Sequence, residues 1–217
     1  MNQVENSSEF QPETEPKEAL AVFGENIAQA RKFFELLVRD GDLLGLVGPR
    51  ELPKLWTRHI LNSAVVAELV EDSKLVADVG SGAGFPGIPM AIMKPNVNFV
   101  LIEPMERRAS WLSDVVVPEL GLTNVQVLRG RAEEAPLRNY DVVTARAVSA
   151  LPKLLRMLVP LTVHGGEILA LKGSKAQDEI QESQSLVKKL KLASFEIVSA
   201  GEKVIQEPTT VVRVRLL

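Results

Sequence analysis

From Leu20 to Val38 apolar residues recur at helical spacing (Val22, Phe23, Ile27, Ala30, Phe33, Phe34, Leu37), the stripe of an amphipathic helix. A second helical region runs from Arg50 to Val70, with Leu52, Leu55, Ile60, Leu61, Ala64 and Val65 at its apolar positions. After Lys74 the rhythm changes. Short β-rich runs (Leu75–Val79, Phe99–Ile102, Val125–Leu128, Tyr140–Ala145, Gly166–Leu171) alternate with helical patterns near Ile88–Met93, Met105–Val117, Leu151–Leu161 and Ala176–Leu190. Buried parallel strands need crossover connections, and helices are the usual ones. The last two β-rich runs, Phe195–Ala200 and Thr210–Leu216, follow each other without a helix, which predicts an antiparallel pair at one sheet edge. The pattern therefore predicts a doubly wound α/β sheet behind a helical N-terminal cap. The expected boundaries are an acidic, disordered leader over 1–18, a cap over 19–73 and the sheet domain over 74–217.

Composition narrows the function classes. The 217 residues include no cysteine, which excludes disulfides and thiolate metal sites, and His59 and His164 are the two imidazoles. No metal site is expected. No apolar run approaches a membrane span, and the acidic start does not resemble a signal peptide, so a cytoplasmic enzyme is expected. The net charge of −3 is unevenly placed: residues 1–20 carry −4, while Arg129 to Lys175 carry a local excess of +4. A basic face toward nucleic acid is one reading of that excess; scattered solvated charge is the other.

The run Leu75-Val-Ala-Asp-Val-Gly-Ser-Gly-Ala-Gly-Phe-Pro-Gly87 is a strand-to-helix turn stripped of side chains, which lets a ligand lie against backbone. Gly82, Gly84 and Gly87 satisfy the dinucleotide spacing, so a pyrophosphate site and a site for S-adenosylmethionine both remain open. Asp78 would repel phosphate but suit a cationic amino group. Pro86, expected to open the helix, removes a donor that an anion site would use. Glu103, about 20 residues past the glycines, can accept ribose hydroxyls, and both ligands carry such a ribose. Asp78 and Glu103 could instead be helix caps or solvated strand ends.

The later strand ends add basic groups. Arg131-Ala-Glu133 follows the third strand; Glu133 can cap a helix or bring its backbone to an adenine. Arg146 ends the fourth strand and Lys172 the fifth, where side chains line the ligand crevice of such sheets. Both suit phosphate or an electron-rich base; a surface salt bridge is the plainer role for Arg146. Trp56 could stack on a base or fill the core. His59 could orient a helix end or touch phosphate.

Taken in order, Trp56-Thr-Arg-His-Ile-Leu-Asn-Ser63, Asp78-Val-Gly-Ser-Gly-Ala-Gly-Phe-Pro-Gly-Ile-Pro89, Arg131-Ala-Glu133, Thr144-Ala-Arg-Ala147 and Leu171-Lys-Gly173 resemble the bacterial small-subunit ribosomal RNA guanine-N7 methyltransferases, also called glucose-inhibited division protein B. The resemblance begins near residue 20. It implies a class I, Rossmann-like methyltransferase with a mostly parallel seven-stranded sheet, an antiparallel edge strand and an N-terminal helical extension. It implies S-adenosylmethionine as cofactor and one guanine of 16S rRNA, in the loop near the decoding region, as substrate within the small ribosomal subunit.

By the resemblance, Gly80, Phe85, Ala132, Glu133 and Arg146 fall on donor-contacting positions; Asp78, Gly82 and Glu103 join them by the physical argument. Arg58, His59, Arg146 and Lys172 are RNA-side candidates. Arg146 is the candidate for orienting guanine or a phosphate, with no general base, because guanine N7 carries a lone pair and no proton. Asn62 stands where many relatives carry Asp, which predicts an altered local contact. A monomer is expected. The competing readings are an NAD(P)-dependent oxidoreductase and a noncatalytic ribosome-assembly factor.

Overall fold

The computed structural model describes residues 10–135 and 139–217. Seven strands form one sheet in the order β3-β2-β1-β4-β5-β7-β6: β1 Leu75–Val79, β2 Asn98–Glu103, β3 Val125–Arg129, β4 Tyr140–Arg146, β5 Thr162–Leu171, β6 Leu192–Ala200 and β7 Thr209–Leu216. β1 to β5 pair parallel, and β7 pairs antiparallel with both β5 and β6. The expected antiparallel pair, β6 and β7, lies at one edge of the sheet, with β6 outermost and β7 turning back between it and β5.

Alternate strand residues face opposite layers, as a period of two requires. Val76, Phe99, Leu101, Val142 and Leu169 join one apolar cluster, whereas Ala77, Val100, Ile102, Val143 and Ile168 join the other. Completely burying each larger side chain contributes about 1.5–3 kcal/mol. The first layer contains α1 (Glu18–Phe23), α2 (Ile27–Asp40), the helical run over 49–69 and α3 (Gly87–Met93). The second contains α5 (Leu151–Leu158) and α6 (Ala176–Ser183); α4 (Glu106–Trp111) lies between β2 and β3 in sequence and packs with the first.

The N-terminal helices are built into the core. Phe33 of α2 meets Phe85 edge-on with ring centroids 5.6 Å apart, and Phe34 stacks on Trp56 at 5.1 Å. Trp56 is a core residue, 1% exposed. The 49–69 run is not one regular helix: a 3₁₀ segment Pro49–Lys54 passes into a π-helical stretch Leu55–Leu61, then α-helical and 3₁₀ turns.

The expected disorder of the leader fails from Glu13 onward. One Glu13 oxygen accepts the Trp56 and Thr57 N–H groups at 2.8 and 3.0 Å. Glu15 takes the Arg31 guanidinium in a two-pronged pair at 2.6 and 2.8 Å. Those carboxylates satisfy donors at a helix start and on α2 that would otherwise face water. With its amide nitrogen turned toward them, Asn62 reaches the Thr57 and Glu207 carbonyls at 3.2 and 3.1 Å, bonds that an aspartate could not donate. Among the described residues no helix is long and apolar enough to cross a membrane, and no cluster of His, Asp or Glu could hold a metal ion.

Candidate active site

The glycine turn leaves the carboxyl end of β1 where the sheet order reverses between β1 and β4, the place at which such sheets bind ligands. Its backbone donors are already committed. Gly80 and Ser81 N–H donate to the Ile102 carbonyl, Gly84 and Phe85 N–H to the Ser81 carbonyl, Gly82 N–H to Glu103 and Gly87 N–H to Asp78. Pro86 has no N–H, and among the described residues Ala83 alone keeps an uncommitted one. A pyrophosphate cradle needs several converging N–H donors. This turn offers one, above two carboxylates, so it does not fit a dinucleotide phosphate.

Asp78 is completely buried. Its Oδ2 accepts the Gly87 N–H at 3.0 Å, and a Cβ at Gly87 would stand 2.7 Å from that oxygen, so only glycine lets the carboxylate reach the helix start. Pro86 accordingly sits at the cap position, just ahead of the helix it was expected to open, and α3 begins at Gly87. Asp78 Oδ1 has no hydrogen-bond partner. Burial pushes the carboxyl up to about 7, and nearby Glu103 adds to the rise against the Gly87 and Ser81 hydrogen bonds. An orphaned buried carboxylate oxygen beneath the turn fits a cationic ligand group above it.

Glu103, 3% exposed, grips the turn and the start of α4: Oε2 accepts the Gly82 N–H and Oε1 the Met105 N–H, both at 2.8 Å. Each oxygen retains a lone pair for a further donor. Gly80 takes φ +73°, and Val148 Cγ2 lies 2.9 Å from where its Cβ would be, so the loop after β4 closes over this glycine. In the loop after β3, Ala132 is buried and Glu133 exposed. The capping role considered for Glu133 belongs to Glu134, whose carboxylate accepts the Arg131 N–H at 3.2 Å.

Arg146 ends β4, and Ala147 at φ +55° turns the chain sharply after it. Its guanidinium is half-buried and lies 5.2 Å above the Phe85 ring. Nη1 donates to the His59 carbonyl at 3.3 Å and to Ser63 Oγ at 3.1 Å; Nη2 donates to His59 Nδ1. Among the described residues no carboxylate lies within ion-pair distance of Arg146. Burial, with Arg58 nearby, brings it down to about 10, so it stays charged at neutral pH.

His59 has both ring nitrogens committed within the protein: Nδ1 faces Arg146, and Nε2 lies 2.7 Å from Glu51 Oε2. Burial and the Arg146 charge hold it below the ordinary histidine range. The direct phosphate contact expected of His59 would require breaking one of these bonds. Arg58 is exposed and pairs loosely with Glu51 at 3.6 Å, which leaves it available to a polyanion.

Lys172 departs from the expected RNA-facing rim. Its ammonium is turned inward, donating to the Ser149 carbonyl at 2.7 Å and pairing with Glu179 at 2.8 Å, with 10% of the side chain exposed. Glu179 also accepts the Leu151 N–H at 2.6 Å. Together they anchor the loop that carries Val148 over Gly80. Arg129 is likewise paired, with Glu106 at 2.6 Å. Much of the local positive excess is therefore compensated, and Arg138 lies outside the described residues. A separate cavity of about 570 Å³, lined by Lys54, Thr57, Arg58, Asn62, Gln206 and neighbours, shares no residue with the glycine turn.

The chain matches the family model described as rRNA small subunit methyltransferase G over residues 26–209. It is 50% identical over 202 residues to the ribosomal RNA small subunit methyltransferase G of Leifsonia xyli, covering 93% of this chain and 96% of that one. The protein of the same name from an Arthrobacter strain is 48% identical over 201 residues, covering 92% and 93%.

The chain belongs to the rRNA small subunit methyltransferase G family.

The fold agrees. The solved structure of M. jannaschii TYW2 in complex with AdoMet superposes with a TM-score of 0.58 at 20% identity, covering 74% of this chain and 76% of that one. The methyltransferase G match begins inside the N-terminal helices, so the helical layer that supplies His59 and Ser63 is part of the family unit. Neither the oxidoreductase nor the noncatalytic reading finds support. Reading the sequence missed Glu51, Ser63 and Glu179. Ser63 closes the Trp56–Ser63 motif, where no role was assigned to it, and Glu51 lies five residues before that motif; Glu179 had no signal, since its role depends on α6 lying against the end of β5.

Proposed function

We propose that the chain transfers a methyl group from S-adenosylmethionine to N7 of a guanine in 16S rRNA. The observation that carries this reading is the pairing of two neighbouring features. One is a glycine turn with its N–H groups committed and an orphaned buried carboxylate oxygen beneath it. The other is an arginine at the end of the adjacent strand that no carboxylate among the described residues neutralises. The first suits a cationic nucleoside, the second an electron-rich base or a phosphate.

When bound, the cofactor supplies an electrophilic methyl on a sulfonium that departs as a neutral thioether. Gly80, Gly82, Phe85, Ala132, Glu133 and Arg146 surround the proposed donor, with Asp78 and Glu103 stiffening its floor. Guanine N7 needs no deprotonation, so the chain's task is to orient the base, exclude water and hold the reacting atoms in line. Alignment of that kind contributes about 7–11 kcal/mol in favourable cases. Arg146 keeps Nε–H and one Nη2–H unassigned among the described residues, and these can point to guanine or its phosphate. The product base is cationic, and the same guanidinium would repel it.

Guanine N7 in an A-form duplex is poorly reached by side chains, so the substrate is an unstacked guanine presented by the small subunit. The reading places the protein in the bacterial cytoplasm as a monomer. The test is incubation with radiolabelled S-adenosylmethionine and unmodified small subunits, followed by chemical cleavage at N7-methylguanine. Label confined to one cleavable guanine is expected. Donor binding without rRNA labelling, or binding of NAD in place of the donor by calorimetry, would overturn the proposal.

A further inference from the structure

We propose that Glu51 and His59 form a positioning relay for Arg146, in which the carboxylate fixes the imidazole tautomer whose Nδ1 holds the guanidinium at the end of β4. This rests on the reading of Arg146 as the group that faces the guanine.

The hydrogen-bond chemistry leaves one arrangement. Arginine only donates, so His59 Nδ1, which meets Arg146 Nη2, must be the unprotonated nitrogen. The ring proton then sits on Nε2 and is donated to Glu51 Oε2 at 2.7 Å. Glu51 stays ionised, held below the usual carboxylate range by that hydrogen bond and by Arg58. A carboxylate placed directly on Arg146 would orient it as well but would cancel its charge. Interposing a neutral ring orients the guanidinium and leaves its charge for substrate. The backbone carbonyl of His59 and Ser63 Oγ complete a three-point hold. Phe85 closes the site from the glycine turn, 5.5 Å from the His59 ring and 5.2 Å from the Arg146 carbon.

The relay makes transfer sensitive to acid. The charged groups facing His59 are Arg146 from β4, Glu51 from the 49–54 segment and Arg58 from its own helix. Asp78 acts one step further away, through Arg146. Protonating His59 removes the acceptor at Nδ1 and sets a second cation against Arg146. Because burial and Arg146 favour the neutral ring, the relay stays intact at neutral pH and is lost only below the ordinary imidazole range.

The experiment is single-turnover methyl transfer to unmodified small subunits at saturating S-adenosylmethionine across pH 5–8, with donor affinity measured in parallel by calorimetry. Wild type should lose rate in acid. His59→Ala should lose about 10²-fold in rate, the scale of a small misplacement of a reacting group, while donor affinity falls far less than the rate, because Arg146 is one of several groups around the donor. His59→Asn, which keeps an acceptor and a donor on one short side chain, should recover much of the rate and lose the acid limb. In an Arg146→Ala background, His59→Ala should add no further loss. Wild-type rate in His59→Ala, strictly multiplicative losses in the double variant, or an acid limb that persists in His59→Asn and so belongs to Asp78, would each overturn the relay. Full rate in Arg146→Ala would instead overturn the role of Arg146 itself, which separates the two failures. If His59→Ala does not fold, His59→Asn and its pH profile decide the matter.

Discussion

Two basic side chains close neighbouring strands, Arg146 at the end of β4 and Lys172 just past β5, where Arg146 pairs with Leu171. Their surroundings make them opposites. Lys172 meets Glu179 and the Ser149 carbonyl, which neutralises it and ties down a loop. Arg146 meets a neutral imidazole, a hydroxyl and a carbonyl, which orient it without neutralising it. A cation's partner, more than its place on the sheet, tells whether its charge is kept for a ligand.

The sharpest break of that contrast is Arg146→Ala. It should lower single-turnover transfer by about 10²–10³-fold, the usual cost of deleting one preorganised donor, with the fold intact by circular dichroism. Arg146→Lys should recover little, because a single ammonium cannot reproduce the planar fork that spans His59 and Ser63. Rates near wild type in both variants would place Arg146 with Lys172 as a structural cation.

Lys172→Met tests the other half. It leaves Glu179 partly buried without its ammonium and frees the loop that seats Val148 over Gly80. A loss of about 1–3 kcal/mol by urea unfolding is expected, below the full cost of breaking a deeply buried pair because both groups keep some water. Donor affinity should weaken while single-turnover rate at saturating donor holds. Unchanged stability with a collapse in rate would reverse the assignment of the two cations.

The same contrast shows what could be read from sequence. The glycine turn was legible because its parts are local: Asp78, the glycines and Glu103 lie within 26 residues and fall at strand ends set by alternation. Even there, sequence could not show that Glu103 would hold Gly82 and Met105, because backbone partners depend on how the loop closes. The strand limits were close, yet β5 begins at Thr162, four residues ahead of the Gly166 start that the β-rich run gave. The surroundings of Arg146 were not legible, because His59 and Ser63 come from a helical run 83 to 87 residues away with π and 3₁₀ turns that no simple period describes. The 49–69 run was recognised as helical, but not as a wall of the site. Glu13 and Glu15 read as disordered because acidity dominates a local window, while their partners lie far along the chain.

Asp78 gives a smaller effect with a definite sign. Its carboxyl, raised to about 7, prefers the protonated state in the folded chain, whereas the unfolded chain releases that proton near 4. The native state thus binds more protons between those values, and ligand-free stability should fall as pH rises from about 4 to 7. Asp78→Asn retains an acceptor for the Gly87 N–H and removes the charge, so its melting temperature should lose most of that slope and exceed wild type at pH 8. Donor binding should weaken in the same variant. A pH slope identical to wild type would show that Asp78 titrates as an ordinary carboxylate.

The smallest effect concerns how RNA is held. Each phosphate neutralised by a side chain adds about 0.7–0.9 to the slope of log affinity against log salt. Arg58 is exposed with a loose partner, and Lys153 and Arg156 are exposed on α5, so each can reach a phosphate without breaking a tight pair. Arg58→Gln should weaken binding to small subunits modestly and flatten the slope by about one contact. Lys172→Met should leave the slope unchanged, since its charge is already matched by Glu179. Filter binding from low to moderate salt measures both. If Lys172→Met flattens the slope and Arg58→Gln does not, the Lys172–Glu179 pair opens on the ribosome, and the rim that holds RNA runs along β5 in place of the helical layer.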